Sequence, residues 1–189
     1  MSKIKMAVAG TVLGTVLAGP ALAAPAFADD RTCRGTIRAV TVDGVRVPAG
    51  ASCTLLGTRV EGGVKVERNA TLVAREVKVD GDVQGEGARA VSVTGGSVVD
   101  GNVQVKQGGA VTVTSSRVGG DVQLDANRRP LRVDGNRVGG DVQVVGNRGG
   151  ARLHRNLVEG DLQCKENRPA PVGSGNSARG DEEGQCRRL

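Results

Sequence analysis

The chain segment from Val118 to Arg137 alternates apolar and polar positions in short runs. Apolar residues stand at every second position in the runs 122–124 and 131–133, which is the period of a strand with one buried face. Val118 marks a third, shorter extended piece. Gly-Gly, Asn-Arg and Asp-Gly steps separate the three pieces, as turns require. The pattern therefore predicts a coil of triangular section.

The phrase Gly-Asp-Val-Gln, or a close variant of it, returns at residues 81, 101, 120, 140 and 160. The spacings are 20, 19, 20 and 20 residues (101 − 81, 120 − 101, 140 − 120 and 160 − 140). One such repeat has too little surface to bury alone, so its neighbours must bury it. We therefore predict an all-β protein, a single-stranded, right-handed parallel β-helix. This three-sided solenoid would have about 20 residues per coil and about six coils.

Two other solenoid types disagree with the spacing of the apolar residues. A left-handed β-helix places an apolar residue at every sixth position, whereas the inward positions from Val118 to Val138 are 4, 2, 7, 2 and 5 residues apart. Pentapeptide repeats bury every fifth residue, but steps of five from Val118 reach the polar Gln123 and Arg128. The right-handed type that is left agrees with the general preference for right-handed crossovers.

The same spacing predicts the inward residues of each coil and the domain boundaries. We expect Thr71 and Val73 to face inward in one of the weaker amino-terminal coils. The β-helix repeats should span 58–168, after an amino-terminal cap and first irregular coil at 29–57. Residues 169–189 should form a carboxy-terminal cap, because prolines block strand pairing and the stretch from Asp181 to the end is too charged for another coil.

The first 28 residues have the pattern of a secretory signal peptide. Lys3 and Lys5 precede an apolar run, and Ala26-Phe27-Ala28 matches a cleavage site. A retained membrane anchor is the alternative, but the apolar run is shorter than the roughly 20 residues that a membrane span needs. We therefore expect a secreted protein, extracellular or associated with the cell surface, with no transmembrane segment in the mature chain.

The mature composition narrows the classes of partner. Cleavage would leave 161 residues (189 − 28) without any aromatic residue and with a net charge of +4, from 24 basic and 20 acidic residues. The mild excess of positive charge is typical of a solvated surface, and no aromatic side chain is left to stack on bases. We therefore expect no nucleic-acid partner.

Four cysteines remain in the mature chain, and export permits them to form disulfides. Cys33, Cys53, Cys164 and Cys186 allow three pairings. We favour Cys33–Cys53 and Cys164–Cys186, one at each end of the repeats. Cys33 and Cys53 are 20 residues apart, so their Cα atoms should lie one coil apart, at the strand spacing of about 4.8 Å. A metal site is the alternative, but the spacing is not that of zinc ligands.

Three sets of polar residues repeat with the coils. Asparagines should occupy turns, where they tolerate left-handed dihedrals and pass amide hydrogen bonds from coil to coil; they are Asn127, Asn147 and Asn167 in one set and Asn136, Asn156 and Asn176 in another. Glutamines should form an outward stripe at Gln84, Gln104, Gln123, Gln143 and Gln163.

A column of carboxylates should follow the corner glycines, at Asp82, Asn102, Asp121, Asp141, Asp161 and Asp181. Like charges stacked at the coil spacing repel each other and need compensation. Arg117 and Arg137 precede Asp121 and Asp141 by four residues, which favours ion pairs. Calcium held by Asp121, Asp141 and Asp161 is the alternative, although the nine-residue calcium repeat is missing.

The Gly-Asp-Val-Gln coils, the segment 47–53 and the segment 162–167 carry a resemblance to a group of small exported repeat proteins of actinobacteria. The resemblance covers nearly the whole mature chain and implies no activity. In coil length the chain is also similar to bactofilins, cytoskeletal β-helices that polymerise end to end. Bactofilins lack such a signal peptide and such cysteines.

The sequence predicts a non-enzymatic protein with no cofactor. His154 is the only histidine, and alternation places it outward, without a recognisable nucleophile motif. Coils that differ by a residue or so leave no long loops to build a cleft. We therefore expect a secreted structural or surface-interaction protein, whose partner is a cell-envelope component or a second copy. A polysaccharide-binding or polysaccharide-degrading β-helix and a self-assembling filament are the alternatives.

Overall fold

A computed structural model of the chain describes residues 30–189. The predicted signal peptide, residues 1–28, lies outside the described residues. The described chain is all-β and has no helix; it forms a parallel β-solenoid of about seven turns with about 20 residues per turn. The fold class predicted from the repeat is confirmed.

Three parallel sheets form the sides of the solenoid. Sheet A contains β1 (Arg31–Thr32), β4 (Val45–Val47), β7 (Val64–Val66), β10 (Val83–Glu86), β13 (Val103–Lys106), β16 (Val122–Asp125), β19 (Val142–Val145), β22 (Leu162–Lys165) and β25 (Glu182–Gly184). Sheet B contains β2 (Thr36–Arg38), β5 (Ser52–Leu56), β8 (Thr71–Arg75), β11 (Ala90–Thr94), β14 (Ala110–Thr114), β17 (Leu131–Asp134), β20 (Ala151–His154) and β23 (Val172–Ser174). Sheet C contains β3 (Thr41–Val42), β6 (Arg59–Val60), β9 (Lys78–Val79), β12 (Val98–Val99), β15 (Arg117–Val118), β18 (Arg137–Val138), β21 (Leu157–Val158) and β24 (Ser177–Ala178).

Each strand pairs in parallel with the strand three places further along the chain, so one lap of chain contributes one strand to every sheet. The register keeps equivalent residues together: Val122 pairs with Val142 and Gln123 with Gln143. Side chains alternate across each sheet, and the inward ones are fully buried, as at Val122, Leu124, Val142 and Val144. Burying each such side chain stabilises the fold by about 1.5–3 kcal/mol.

The inward face of β8 differs from the prediction. Leu72 and Ala74 are buried in the core, whereas Val73 is 39% exposed and Thr71 is partly buried. In the stretch Thr-Leu-Val-Ala-Arg, apolar residues stand at both the odd and the even positions. Its own pattern therefore does not determine which side chains face the core. Pairing fixes it, because Leu72 stacks between the inward Cys53 and Val91.

The ends of the solenoid also carry more strands than expected. Within 29–57, where a cap and a first irregular coil were predicted, the chain already forms one lap with a strand in each sheet, β1 to β3. The segment with Pro169 and Pro171 still provides β23, which pairs with β20. The charged tail provides β25, which pairs with β22. This strand has three residues and is the last strand of the described chain, so the tail adds one paired strand to the edge of sheet A and no further lap.

Candidate functional site

The first asparagine ladder lies in the turn between sheets A and B and consists of Asn127, Asn147 and Asn167, all buried. The side-chain oxygen Oδ1 of Asn147 accepts hydrogen bonds from the backbone N–H of Asn127 at 2.8 Å and from its Nδ2 at 3.1 Å. Nδ2 of Asn147 donates to the Leu124 carbonyl at 2.8 Å and to Oδ1 of Asn167 at 2.9 Å. The amide groups therefore form a continuous chain across the laps, as predicted.

Both ends of this ladder are closed by other residues. Oδ1 of Asn127 accepts the backbone N–H of Gly108 at 2.9 Å. At the other end, Oε1 of Gln185 accepts from the backbone N–H and from Nδ2 of Asn167, at 2.9 and 3.1 Å. Gln185 was not predicted from the repeat, because at this end a glutamine with a longer side chain takes the role of the asparagine of the other laps.

The second asparagine ladder, Asn136, Asn156 and Asn176, lies in the turn between sheets B and C. Nδ2 of Asn136 donates to the Val113 carbonyl at 2.7 Å and to Oδ1 of Asn156 at 3.0 Å. Nδ2 of Asn176 donates to the carbonyl of Leu189, the last residue, at 3.0 Å. In earlier laps Thr58, Ser97 and Ser116 take the same place; they are buried, and their hydroxyls donate to backbone carbonyls.

The backbone of these turns differs from the expectation. The ladder asparagines do not have positive φ; the residue before each of them does, with φ of 53° at Ala126 and 50° at Arg155. The preceding residue thus makes the left-handed turn, and the asparagine side chain points inward to bond the next lap. The two ladders use their amide groups for the fold.

The carboxylate column binds backbone rather than arginine. Oδ1 of Asp121 accepts the backbone N–H of Asp141 at 2.9 Å, and Oδ1 of Asp141 accepts that of Asp161 at 2.8 Å. The predicted ion pairs with Arg117 and Arg137 were wrong, because Arg137 binds Glu159 at 2.7 Å instead. Asp82, Asn102 and Asp161 make the same bond to the next lap.

This bond explains why a glycine precedes the aspartate or asparagine of the repeat from Gly101 onward. A Cβ atom on Gly140 would collide with Oδ1 of Asp121, and one on Gly160 would collide with Oδ1 of Asp141. The oxygen that accepts the N–H of the next lap occupies the space of the missing side chain. The glycine of one lap therefore packs against the aspartate of the lap before it.

Gly140→Ala should destabilise the protein by about 1–3 kcal/mol, since the added methyl overpacks this contact. In an Asp121→Ala background the added cost should be smaller, because the colliding oxygen is gone. Urea unfolding of the two single variants and the double variant measures this coupling. Gly35→Ala is the control, because a Cβ atom there meets nothing within 4 Å. Equal costs of Gly140→Ala in both backgrounds would contradict the proposed contact.

The alternative of calcium binding gains no geometric support from this column. Within residues 30–189, no group of three or more histidine, cysteine or acidic residues is arranged to hold a metal ion. One oxygen of each of Asp121, Asp141 and Asp161 is already directed at a backbone N–H.

The glutamine stripe lies in register on the outer face of sheet A, but its amides do not form a continuous chain. Nε2 of Gln104 donates to Oε1 of Gln123 at 2.6 Å. Gln84 and Gln123 instead donate to the aspartates two residues before them, at 3.1 and 3.3 Å, and Gln163 donates to Glu183 at 2.7 Å. Gln143 pairs in register with Gln123 and Gln163. The outer face of this sheet is therefore polar, with local side-chain pairs.

The two disulfides have the predicted pairing. Cys33–Cys53 and Cys164–Cys186 have Cα–Cα distances of 5.5 and 5.1 Å. The expected stacking of Cys33 and Cys53 at equivalent positions was wrong: Thr54 pairs with Thr36, which places Cys53 over Gly35. All four cysteines are buried, so each disulfide closes one end of the core column.

His154 faces outward, as predicted, and it is partly buried there. Its Nδ1 lies 3.1 Å from Oγ of Ser174 in the next lap. The two residues pair in register between β20 and β23. This contact joins two laps on the outer face of sheet B, which the sequence did not indicate.

Two carboxylates have shifted pKa values. A hydrogen bond from Arg46 at 2.6 Å, together with the backbone N–H of Ala49 at 2.9 Å, holds the pKa of Glu67 below its usual value. Partial burial raises the pKa of Asp125, and the Lys106 ammonium at 3.8 Å opposes that rise. The Glu67 contacts tie β4 to the turn after β7.

The depressions of the outer surface are shallow and lie between laps. One of about 330 Å³ lies where the carboxylate column is interrupted by Gly63, between Asp30 and Asp82. Another, of about 350 Å³, lies on sheet C among Arg117, Arg137, Glu159 and Arg179. A third, of about 240 Å³, follows the first asparagine ladder.

Comparison with known proteins gives no relative: no family model matches the chain, and neither a curated protein nor a solved structure matches it. The resemblance to small actinobacterial repeat proteins and to bactofilins stays a prediction. Among residues 30–189 the structure contains no helix long and apolar enough to cross a membrane.

Proposed function

We propose that the protein is a secreted, non-catalytic β-solenoid that acts as a rigid structural or surface-interaction module at the cell envelope. The observation that carries the proposal is the use of the repeated polar residues. The asparagine ladders and the aspartate column are directed at the backbone and side chains of neighbouring laps. In other proteins asparagine and aspartate bind ligands, and aspartate acts as an acid or base. Here their side chains form hydrogen bonds between laps and stabilise the fold.

The outer surface supports binding better than catalysis. Each sheet presents a regular array of side chains with one lap between rows, and the depressions on it are shallow. A partner of extended shape can contact many laps at once, so that individually weak contacts add up. The disulfides at both ends and the predicted signal peptide suit a protein that acts outside the cell.

The self-assembly alternative has less support at the carboxy-terminal end. There the donors of the two asparagine ladders are satisfied within the chain, by Gln185 and by the carbonyl of Leu189. A second copy that stacks on this end would have to displace the tail. Light scattering at high protein concentration distinguishes a filament from the proposed module. The mean particle mass of a filament increases with concentration, whereas that of the proposed module stays constant.

Purified mature protein tests the proposal in two parts. Incubated with cell walls stripped of protein, it should sediment with them, whereas a soluble marker protein should not. Incubated with pectin, alginate and cell-wall polysaccharides, it should release no new reducing ends and no unsaturated products. Failure to sediment, or a time-dependent release of products, would contradict the proposal.

A further inference from the structure

We infer that the turn between sheets A and B in the carboxy-terminal half binds a linear anionic glycan; this inference deepens the proposed function and rests on it. The surface, which we name the arginine groove, consists of a column of arginines beside an apolar floor. The column contains Arg128, Arg148 and Arg168, and the floor contains Pro130, Gly149, Gly150, Pro169, Ala170 and Val172.

The arginine groove coincides with a local change in the repeat. From the inward residue before this turn to the inward residue after it, the chain takes seven residues in the laps Leu124 to Leu131 (131 − 124) and Val144 to Ala151 (151 − 144). In the earlier lap Val105 to Val111 it takes six (111 − 105). The turn is therefore one residue longer in the laps that carry Arg128 and Arg148.

The arginine column stacks like charges at the spacing of the laps. The backbone N–H of Arg148 donates to the carbonyl of Asn127, and that of Arg168 donates to the carbonyl of Asn147, both at 2.8 Å. Successive arginines are therefore about 4.8 Å apart along the solenoid. Like charges stacked at this spacing repel each other, and an anionic ligand bound along the column would relieve that repulsion.

The charges of the groove are not neutralised within the protein. Arg128, Arg129, Arg148, Arg152 and Arg168 are all exposed, and in the described chain none of them has a carboxylate within 4.0 Å. On sheet C, by contrast, Arg137 and Arg179 both bind Glu159 at 2.7 Å. The unpaired guanidiniums leave a strip of positive charge that is available to an anionic ligand.

The floor of the groove selects the kind of polyanion. The depression of about 240 Å³ is lined by proline, glycine, alanine, valine and leucine together with Arg152, and Gly149 and Pro169 of this lining directly follow Arg148 and Arg168 in the chain. Its apolar residues offer contact to the C–H groups of sugar rings. Guanidiniums bind carboxylates bidentately. Nucleic acids would need an aromatic surface on which bases stack, and the described chain has no aromatic residue. An extended glycan with a carboxylate on successive sugars fits both features.

The test compares two variants of equal charge by calorimetry with polygalacturonate. The groove variant carries Arg128→Gln, Arg148→Gln and Arg168→Gln; the matched control carries Arg38→Gln, Arg117→Gln and Arg187→Gln, at exposed arginines elsewhere. The groove variant should bind about tenfold or more weakly than the wild type, with a salt dependence reduced by about two counterions. The control should stay within about twofold. Thermal unfolding of both variants shows that they are folded.

Three results would overturn the inference. They are the absence of polygalacturonate binding by the wild type, equal losses in the two variants, and binding of neutral dextran or single-stranded polythymidine as tight as that of polygalacturonate. Sedimentation with cell walls separates this inference from the proposed function. If the groove variant sediments like the wild type, the groove assignment is wrong and the proposed function stands; if the wild type does not sediment, the proposed function is wrong.

Discussion

Asn147→Ala is expected to destabilise the protein by about 4 kcal/mol, a large part of the total stability of a typical domain. The change removes four hydrogen bonds: two that Oδ1 accepts from Asn127 and two that Nδ2 donates to Leu124 and Asn167. It leaves the backbone N–H of Asn127 and the carbonyl of Leu124 buried without these partners. Each buried polar group that loses its partner costs about 1–3 kcal/mol.

Gln143→Ala is the matched control for this prediction. Gln143 lies in the same lap and carries the same functional group, but it is partly exposed on the outer face. We expect its replacement to change the free energy of unfolding by about 0.5 kcal/mol or less. Urea unfolding followed by circular dichroism measures both variants. Similar losses would contradict the structural role of the ladder.

Val144→Asp should destabilise the protein by more than about 4 kcal/mol, because it places an unpaired charge in the core. Val144 is fully buried and stacks between Leu124 and Cys164. The narrow column offers the new carboxylate no basic partner and no room to reach solvent. Loss of the cooperative unfolding transition, or a sharp fall of its midpoint in urea, is the expected result.

Val145→Asp provides the control one residue away. Val145 points outward on the same strand and pairs with Asp125 on one side and Lys165 on the other. A carboxylate there is solvated and stands beside a charge of each sign, so we expect a change within about 1 kcal/mol. If the two aspartate variants were equally stable, the assignment of the inward face would be wrong.

Much of the fold could be predicted from sequence, because one lap must bury its valines on the next. The 20-residue period predicts a lap of three strands. The alternation of apolar and polar residues predicts which side chains face the core, wherever apolar residues occupy only every second position of a strand. It failed at β8, where Val73 competes with Leu72 and the neighbouring laps decide. At the tail, Glu182 and Glu183 still pair as an edge strand, because backbone pairing at a sheet edge does not depend on the charge of the side chains.

The polar repeats were found from sequence, but their partners were only partly predictable. Identical residues 20 apart revealed both asparagine ladders. The place of the second asparagine ladder is taken in earlier laps by Thr58, Ser97 and Ser116. A search for identical residues 20 apart could not find them. An alignment of all laps on their inward valines would have placed them in the same column as the asparagines. For the aspartates, proximity in sequence suggested arginine, whereas the nearest donor is a backbone N–H one lap away. The pairing of the four cysteines was predicted correctly from their positions at the two ends of the repeats. The expectation that Cys33 and Cys53 stack at equivalent positions of neighbouring laps was wrong.

The most direct test of the central claim is cross-linking between laps. With Gln123→Cys and Gln143→Cys, which pair in register, the Cα atoms should lie about 4.8 Å apart, within the range that a disulfide accepts. With Gln104→Cys and Gln143→Cys, two laps apart, they should be about 9.6 Å apart and too distant. Mild oxidation followed by non-reducing peptide mapping should show the first cross-link and not the second. Formation of both in equal yield, or of the second alone, would contradict the in-register stacking of 20-residue laps.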